Sequence, residues 1–146
     1  MKTHPCIFIA VILFTAAARS QDAADERKLL QGTWLPTAAE LSADPLDEAT
    51  LKTLKLVIEG DKYAVTVGVS PVDKGTIRID PAAKPKTMDI IGTEGANKGK
   101  SFLAIYELNG DTLRICYDLT GKARPTEFKT KKGELLFLAT YKRAKS

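Results

Sequence analysis

Covalent hydrolysis through a Ser–His–Asp or Cys–His system needs an imidazole beside its nucleophile. The chain holds one histidine, His4, and two cysteines, Cys6 and Cys116. His4 and Cys6 fall in an N-terminal stretch that reads as a cleaved export signal, which leaves one thiol and no imidazole. Zinc and copper centres draw on imidazole or paired thiolates, so no metal and no cofactor is expected. Carboxylate pairs can still do acid–base work, and Glu94 with Glu107, or Asp89 with Glu127, are the pairs a fold would have to bring together. None stands in a recognisable pairing, and solvated surface carboxylates explain them. Asp44, Asp47 and Glu48 lack the spacing of a calcium loop. Gly95-Ala96-Asn97-Lys98-Gly99-Lys100-Ser101 imitates a phosphate loop, but three residues separate its glycines and the phosphate-binding pattern has one more. It reads as a glycine-rich strand connection. An enzyme is not expected.

Binding remains. Tyr63, Phe102, Tyr106, Tyr117, Phe128, Phe137 and Tyr141 fall mostly in strand-like segments, where they either fill a core or line a ligand cavity. Tyr106, Arg114 and Tyr117 are the candidate ligand-binding residues. Arg114 lies between Leu113 and Ile115 and shares a face with Cys116. Pointing inward, it would be a buried cation in need of an acid or an anionic ligand; pointing outward, it is an ordinary surface residue. Cys116 itself reads as a small buried hydrophobe. Lys84, Lys86, Lys98, Lys100, Lys122, Arg124, Lys129, Lys131 and Lys132 gather in turn-like segments, and if they share one end of the fold that end attracts anions. Nucleic acid is not an expected partner, because no stack of exposed aromatics accompanies them.

The elements that must position these residues begin after the export signal. Lys2 is followed by the apolar run Ile7–Ala18, and small residues fit a cleavage rule at Ala16-Ala17-Ala18, or at Ala18-Arg19-Ser20 before Gln21, which sets the expected boundary. The run is roughly a dozen residues, short of the ~20 a membrane helix needs, so export without a transmembrane anchor is expected, to the periplasm and envelope or outside the cell. Cleavage removes Lys2 and Arg19 but no acid, so the net charge falls from +4 to +2. About 126 residues remain, enough for one domain with one core. Residues 21–28 are mostly polar and charged and read as a solvated lead-in with room for a helical turn. Residues 29–146 form the single domain, and a monomer is expected.

Short apolar segments separated by turn residues then run to the C-terminus, the rhythm of an all-β fold. Tyr63, Val65, Val67 and Val69 alternate with small or polar residues over Lys62–Val69. Leu54–Glu59, Gly75–Asp80 and Thr87–Ile91 are further strands. Asn109-Gly110 joins Phe102–Leu108 to Thr112–Tyr117, because a tight hairpin turn needs positive φ at both central positions. Lys131-Lys132-Gly133 joins Thr126–Thr130 to Glu134–Lys142. With an opening strand near Gly32–Ala38 the count reaches about eight, and one short helix follows that first strand, capped by Asp44 with Pro45 in its first turn. Consecutive hairpins without helical crossovers predict an antiparallel up-and-down barrel, whose closure removes exposed edges.

Leu30-Gln31-Gly32-Thr33-Trp34, Glu59-Gly60-Asp61-Lys62-Tyr63, Asn97-Lys98-Gly99-Lys100 and Ile105-Tyr106-Glu107-Leu108 carry a family resemblance. So do Gly110-Asp111-Thr112-Leu113-Arg114-Ile115-Cys116 and Arg124-Pro125-Thr126-Glu127-Phe128. Over Leu29–Arg143 the chain resembles a secreted lipocalin-like domain family best represented in planctomycetes, which carries no assigned activity to transfer. The resemblance implies a lipocalin- or calycin-like barrel in which a first-strand tryptophan, here Trp34, closes one end against a basic side chain of the last strand, here Arg143. By analogy it implies a non-catalytic exported protein holding a small apolar or amphipathic ligand. The alternative is an envelope interaction module that meets a protein or an anionic glycan through its loops or a basic end.

Overall fold

The computed structural model describes residues 15–145; residues 1–14 of the expected export signal lie outside the described residues. The elements run α1 (Thr15–Leu30), β1 (Gly32–Leu41), β2 (Asp44–Pro45), α2 (Glu48–Thr53), β3 (Leu54–Glu59), β4 (Lys62–Val67), β5 (Ser70–Asp80), β6 (Lys86–Gly95), β7 (Ser101–Asn109), β8 (Thr112–Asp118) and β9 (Leu136–Arg143). Each strand pairs antiparallel with the next, apart from β2, and β9 returns to β1. The result is a closed eight-stranded up-and-down barrel with β2 as a short extra strand beside β1 and α2 after it. Among the described residues no helix is long and apolar enough to cross a membrane.

Period two puts the apolar residues inside. Tyr63 and Val65 of β4, Ile77 and Ile79 of β5, Met88 and Ile90 of β6, and Ala104 and Tyr106 of β7 join Leu113, Ile115 and Tyr117 of β8 in one core. Closure is made by the β1–β9 register from Trp34 opposite Arg143 to Leu41 opposite Phe137, with a bulge between Pro36 and Ala38. Proline has no N–H to give a ladder, which suits it to an irregular point of a seam.

Three elements depart from expectation. The helical turn read over the solvated residues 21–28 is part of a longer helix, α1, which crosses one end of the barrel, the lower end, and buries Leu30 in the core. The short helix starts later than Asp44, which pairs with Leu41 through the β2 bridge. Asp47 caps it instead, its carboxylate accepting from the Thr50 N–H at 2.7 Å. Thr126–Thr130 is not a strand. Residues 119–135 form an irregular segment that folds back over the outer face of β7, β8 and β9. It is pinned by Arg124, which donates to the Ala104 and Met88 carbonyls at 2.7 and 3.3 Å and to Asp89 Oδ1 at 2.6 Å. Thr130 is pinned too, donating to Glu40 Oε1 at 2.6 Å and accepting from the Ala43 N–H at 2.9 Å.

Candidate functional site

The lower end of the barrel is sealed by the C-terminus of α1. A helix leaves its last carbonyls without partners, and here side chains from the first and last strands supply them. Trp34 Nε1 donates to the Leu30 carbonyl at 2.9 Å. Arg143 donates through Nη2 to the Leu29 carbonyl at 2.7 Å and through Nη1 to that of Gln31. Its guanidinium carbon lies 4.3 Å from the centroid of the Trp34 ring, and Nε reaches Asp111 Oδ1 at 3.0 Å. A cation at a helix C-terminus also complements the macrodipole.

Tyr106 belongs to this seal. It is buried, and its hydroxyl donates to Glu26 Oε1 at 3.1 Å, the oxygen that also receives Lys86 Nζ at 2.7 Å. A hydroxyl engaged by α1 is taken, so Tyr106 is a closing residue and does not line the cavity at the other end. Arg114 is likewise not inside. It lies on the outer face, 4.3 Å over the ring of Phe128, with Nη2 donating to Glu107 Oε2 at 3.1 Å. Its side of β8 also buries Cys116, whose thiol faces the Lys129 carbonyl at 4.0 Å and is pushed up by desolvation. Of the carboxylates named as catalytic pairs, Asp89 meets Arg124, Glu107 meets Arg114, and Glu94 meets Lys74. The basic residues do not share one end, since Lys84 and Lys86 sit in or beside the β5–β6 connection at the α1 end, and Lys98 and Lys100 in the β6–β7 connection at the opposite, upper end. No cluster of three His, Cys, Asp or Glu able to hold a metal occurs among the described residues.

Tyr117 does face a cavity. It occupies the upper half of the interior, has a volume of about 60 Å³, and is walled by Leu56, Val65, Ile77, Met88, Ile90 and Phe102. Tyr117 packs its ring 5.6 Å from Phe102 and 5.4 Å from Phe137. A second cavity of about 130 Å³ lies toward β1 and β9, and Leu56, Val65, Tyr117 and Tyr141 line both. Among these apolar walls one acid enters, Asp73. Its Oδ2 accepts from the Tyr63 hydroxyl at 3.1 Å and from Asn97 Nδ2 at 2.9 Å. Its Oδ1 is buried and accepts no hydrogen bond from any described residue.

Two glycines make that arrangement possible by close approach. A Cβ on Gly75 would stand 2.7 Å from Tyr63 Cε1 and 1.9 Å from the Ile91 carbonyl oxygen, so only a bare backbone lets the Tyr63 ring lie there and reach Asp73. A Cβ on Gly92 would stand 1.9 Å from the Asn97 carbonyl oxygen. The β6–β7 connection folds onto Gly92, with the Gly92 N–H donating to Lys100 and the Gly99 N–H to Gly92, and this fold-back carries Asn97 into the barrel mouth. The segment that imitates a phosphate loop thus serves to place one amide.

Sequence reasoning missed Asp73 and Asn97. The signal for Asp73 is present in the sequence: Asp73, Gly75, Ile77 and Ile79 continue one period-two face, though its apolar members begin only after Gly75. Around the carboxylate the phenols stay protonated. Burial raises Tyr63, with the Asp73 charge adding to it, and burial raises Tyr117, with Tyr141, Asp73 and Tyr63 adding. Tyr141 is pushed up to about 12 by burial. The site offers hydrogen-bond donors and acceptors, Tyr63, Asn97 and Asp73, set in a mostly apolar wall. No family model, curated protein or solved structure matches the chain.

Proposed function

We propose that the chain is an exported, non-catalytic binding protein that holds a small amphipathic molecule in the upper half of its barrel. The observation that carries this reading is the apolar cavity into which one carboxylate, Asp73, is set with an unused oxygen. Apolar walls with few convergent polar groups are the ordinary composition of a small-molecule site. Size bounds the ligand: a cavity of about 150 Å³ suffices for benzene, so volumes of about 60 and 130 Å³ suit a molecule of a handful of heavy atoms.

Export is supported by the signal-like order of Lys2, the apolar run and the small residues before Gln21. Cleavage there keeps Gln21–Leu30, and with it the Glu26 and Leu30 contacts of the seal. N-terminal sequencing of the protein from its own host is expected to begin at Gln21; a chain still carrying Ile7–Ala18 would overturn export by cleavage.

The binding test is amide chemical-shift mapping with amphiphiles of about three to seven non-hydrogen atoms, the size the two cavities together allow at benzene's packing. Shifts are expected at Tyr63, Asp73, Asn97, Phe102 and Tyr117, with Trp34 and Tyr106 unmoved. A spectrum that no compound moves would overturn the reading. A second reading, an interaction module, draws on the β4–β5 tip, where Val67 and Val72 are exposed and Val69 is 98% exposed. Shifts confined to Val67–Val72 would favour it.

A further inference from the structure

We infer that the molecule taken by the upper cavity is a small organic ammonium compound, an amine with a short apolar body, bound through Asp73. This rests on the reading of the cavity as a binding site and adds the charge of its occupant.

Asp73 lacks partners that its surroundings demand. A carboxylate moved out of water needs hydrogen bonds to both oxygens and, in an apolar wall, a compensating positive charge. Oδ2 has two neutral donors, Tyr63 and Asn97, and Oδ1 has none among the described residues. No lysine or arginine lines the cavity that holds Asp73. The nearest in sequence, Lys74, alternates to the other face and meets Glu94 at 3.9 Å. Such a group is the exception in a folded protein, and the space it faces is where a donor to it would sit. The two other buried side-chain atoms in the same condition, Arg27 Nε and Thr66 Oγ1, line none of the cavities described above.

The surroundings choose the sign of that occupant. An anion would be repelled by Asp73. A neutral alcohol would satisfy Oδ1 but leave the charge uncompensated. An ammonium group supplies both the N–H and the charge, and a charge-assisted bond is roughly twice as strong as a neutral one. Tyr63, Phe102, Tyr117 and Tyr141 line the same space, and aromatic faces attract cations most where water is excluded. The apolar body then lies against Leu56 and Val65, which continue into the adjoining cavity. A divalent metal is a poorer fit, since calcium takes six or more oxygen ligands and Asp73 is the one acid lining this cavity.

The test holds shape constant and varies charge. Isopentylamine, 3-methylbutan-1-ol and 3-methylbutanoate are titrated into the wild-type protein at pH 7 by calorimetry or amide shifts. The amine is expected to bind at least tenfold more tightly than the alcohol, and the acid not at all. Asp73→Asn is expected to bring the amine down to the level of the alcohol, with near-ultraviolet circular dichroism confirming an intact fold. If the alcohol binds as well as the amine, the cavity is a site but the ammonium inference fails. If neither binds, the cavity reading fails and takes the inference with it. The wild-type series decides the matter even if Asp73→Asn does not fold.

Discussion

Trp34→Ala is expected to destabilise the protein by about 4 kcal/mol, the upper part of the range for removing a fully buried large aromatic. Three losses combine. Trp34 is wholly buried, so a cavity replaces its ring. The Leu30 carbonyl loses the indole N–H, and the Arg143 guanidinium loses the ring face beneath it. Trp34→Phe separates these, keeping most of the volume and losing the N–H, and should cost about 1–2 kcal/mol. Urea unfolding followed by far-ultraviolet circular dichroism measures both, because Trp34 is the chain's single tryptophan and its fluorescence disappears with it. A cost below about 1 kcal/mol for Trp34→Ala, within the range of ordinary surface changes, would mean that α1 is not seated by this pair.

Alkali should reveal the second large effect. All four tyrosines of the chain are inside the barrel, and burial is the leading cause that raises each above the ordinary phenol value. Tyr106 is raised further by the neighbouring Glu26 charge. The unfolded chain ionises its tyrosines near pH 10, a roughly unperturbed value, whereas Tyr141 in the fold does so at about 12 and the others higher still. The folded state therefore holds its protons more tightly. The stability this contributes is complete below about pH 10 and is lost as pH climbs through that value, by about 1.4 kcal/mol per pH unit for each phenol. Two units above that value the phenols of Tyr117 and Tyr141 alone remove about 5 kcal/mol, a large part of what an ordinary domain possesses. Absorbance of phenolate at 295 nm should stay flat in the native protein past the point where the urea-unfolded chain has titrated. It should then rise in one step with the loss of near-ultraviolet dichroism. A stepwise rise near pH 10 with the fold intact would show that a phenol meets water.

How much of this was legible varies with the physical scale of the signal. Strands with one apolar face announce themselves by alternation, so Lys62–Val67 and the hairpin at Asn109-Gly110 were readable within a residue or two. Closure followed from counting them. Segments held by single long-range contacts were not readable. Thr126–Thr130 alternates strand-favouring Thr and Phe with charged residues, but Phe128 spends its ring on Arg114 and Thr130 its hydroxyl on Glu40, contacts that no local pattern encodes. The helix α1 is polar on nearly every side, and what fixes its described part is Leu30 at one point and Glu26 at another. Of the candidate residues, Tyr117 lines the cavity, Tyr106 seals the opposite end and Arg114 lies outside. Aromatic type predicts burial but not which half of a barrel is filled. Asp73 escaped because two bulges flank it, between Val65 and Thr66 in its pairing with β4 and between Lys74 and Gly75 in its pairing with β6. Irregularity there ends the strand to the eye while its side chains keep their alternation.

The seam between β1 and β9 makes the barrel's closure a late event in the life of the chain. Arg143 reaches the carbonyls of Gln31, just past α1, and of Leu29, within it, across sequence separations of 112 and 114 residues. During synthesis or passage through a narrow channel, everything from β1 to β8 emerges as a meander with two open edges, since the last strand arrives last. Contacts of such span form slowly because a long loop must be closed before they repay it. The growing chain therefore stays pliable until Leu136–Arg143 is free, and only then commits to a shape that can no longer be threaded. Until that moment β1 and β8 are exposed templates for another copy, and a holdase that covers either edge would serve this chain more than one that grips its loops.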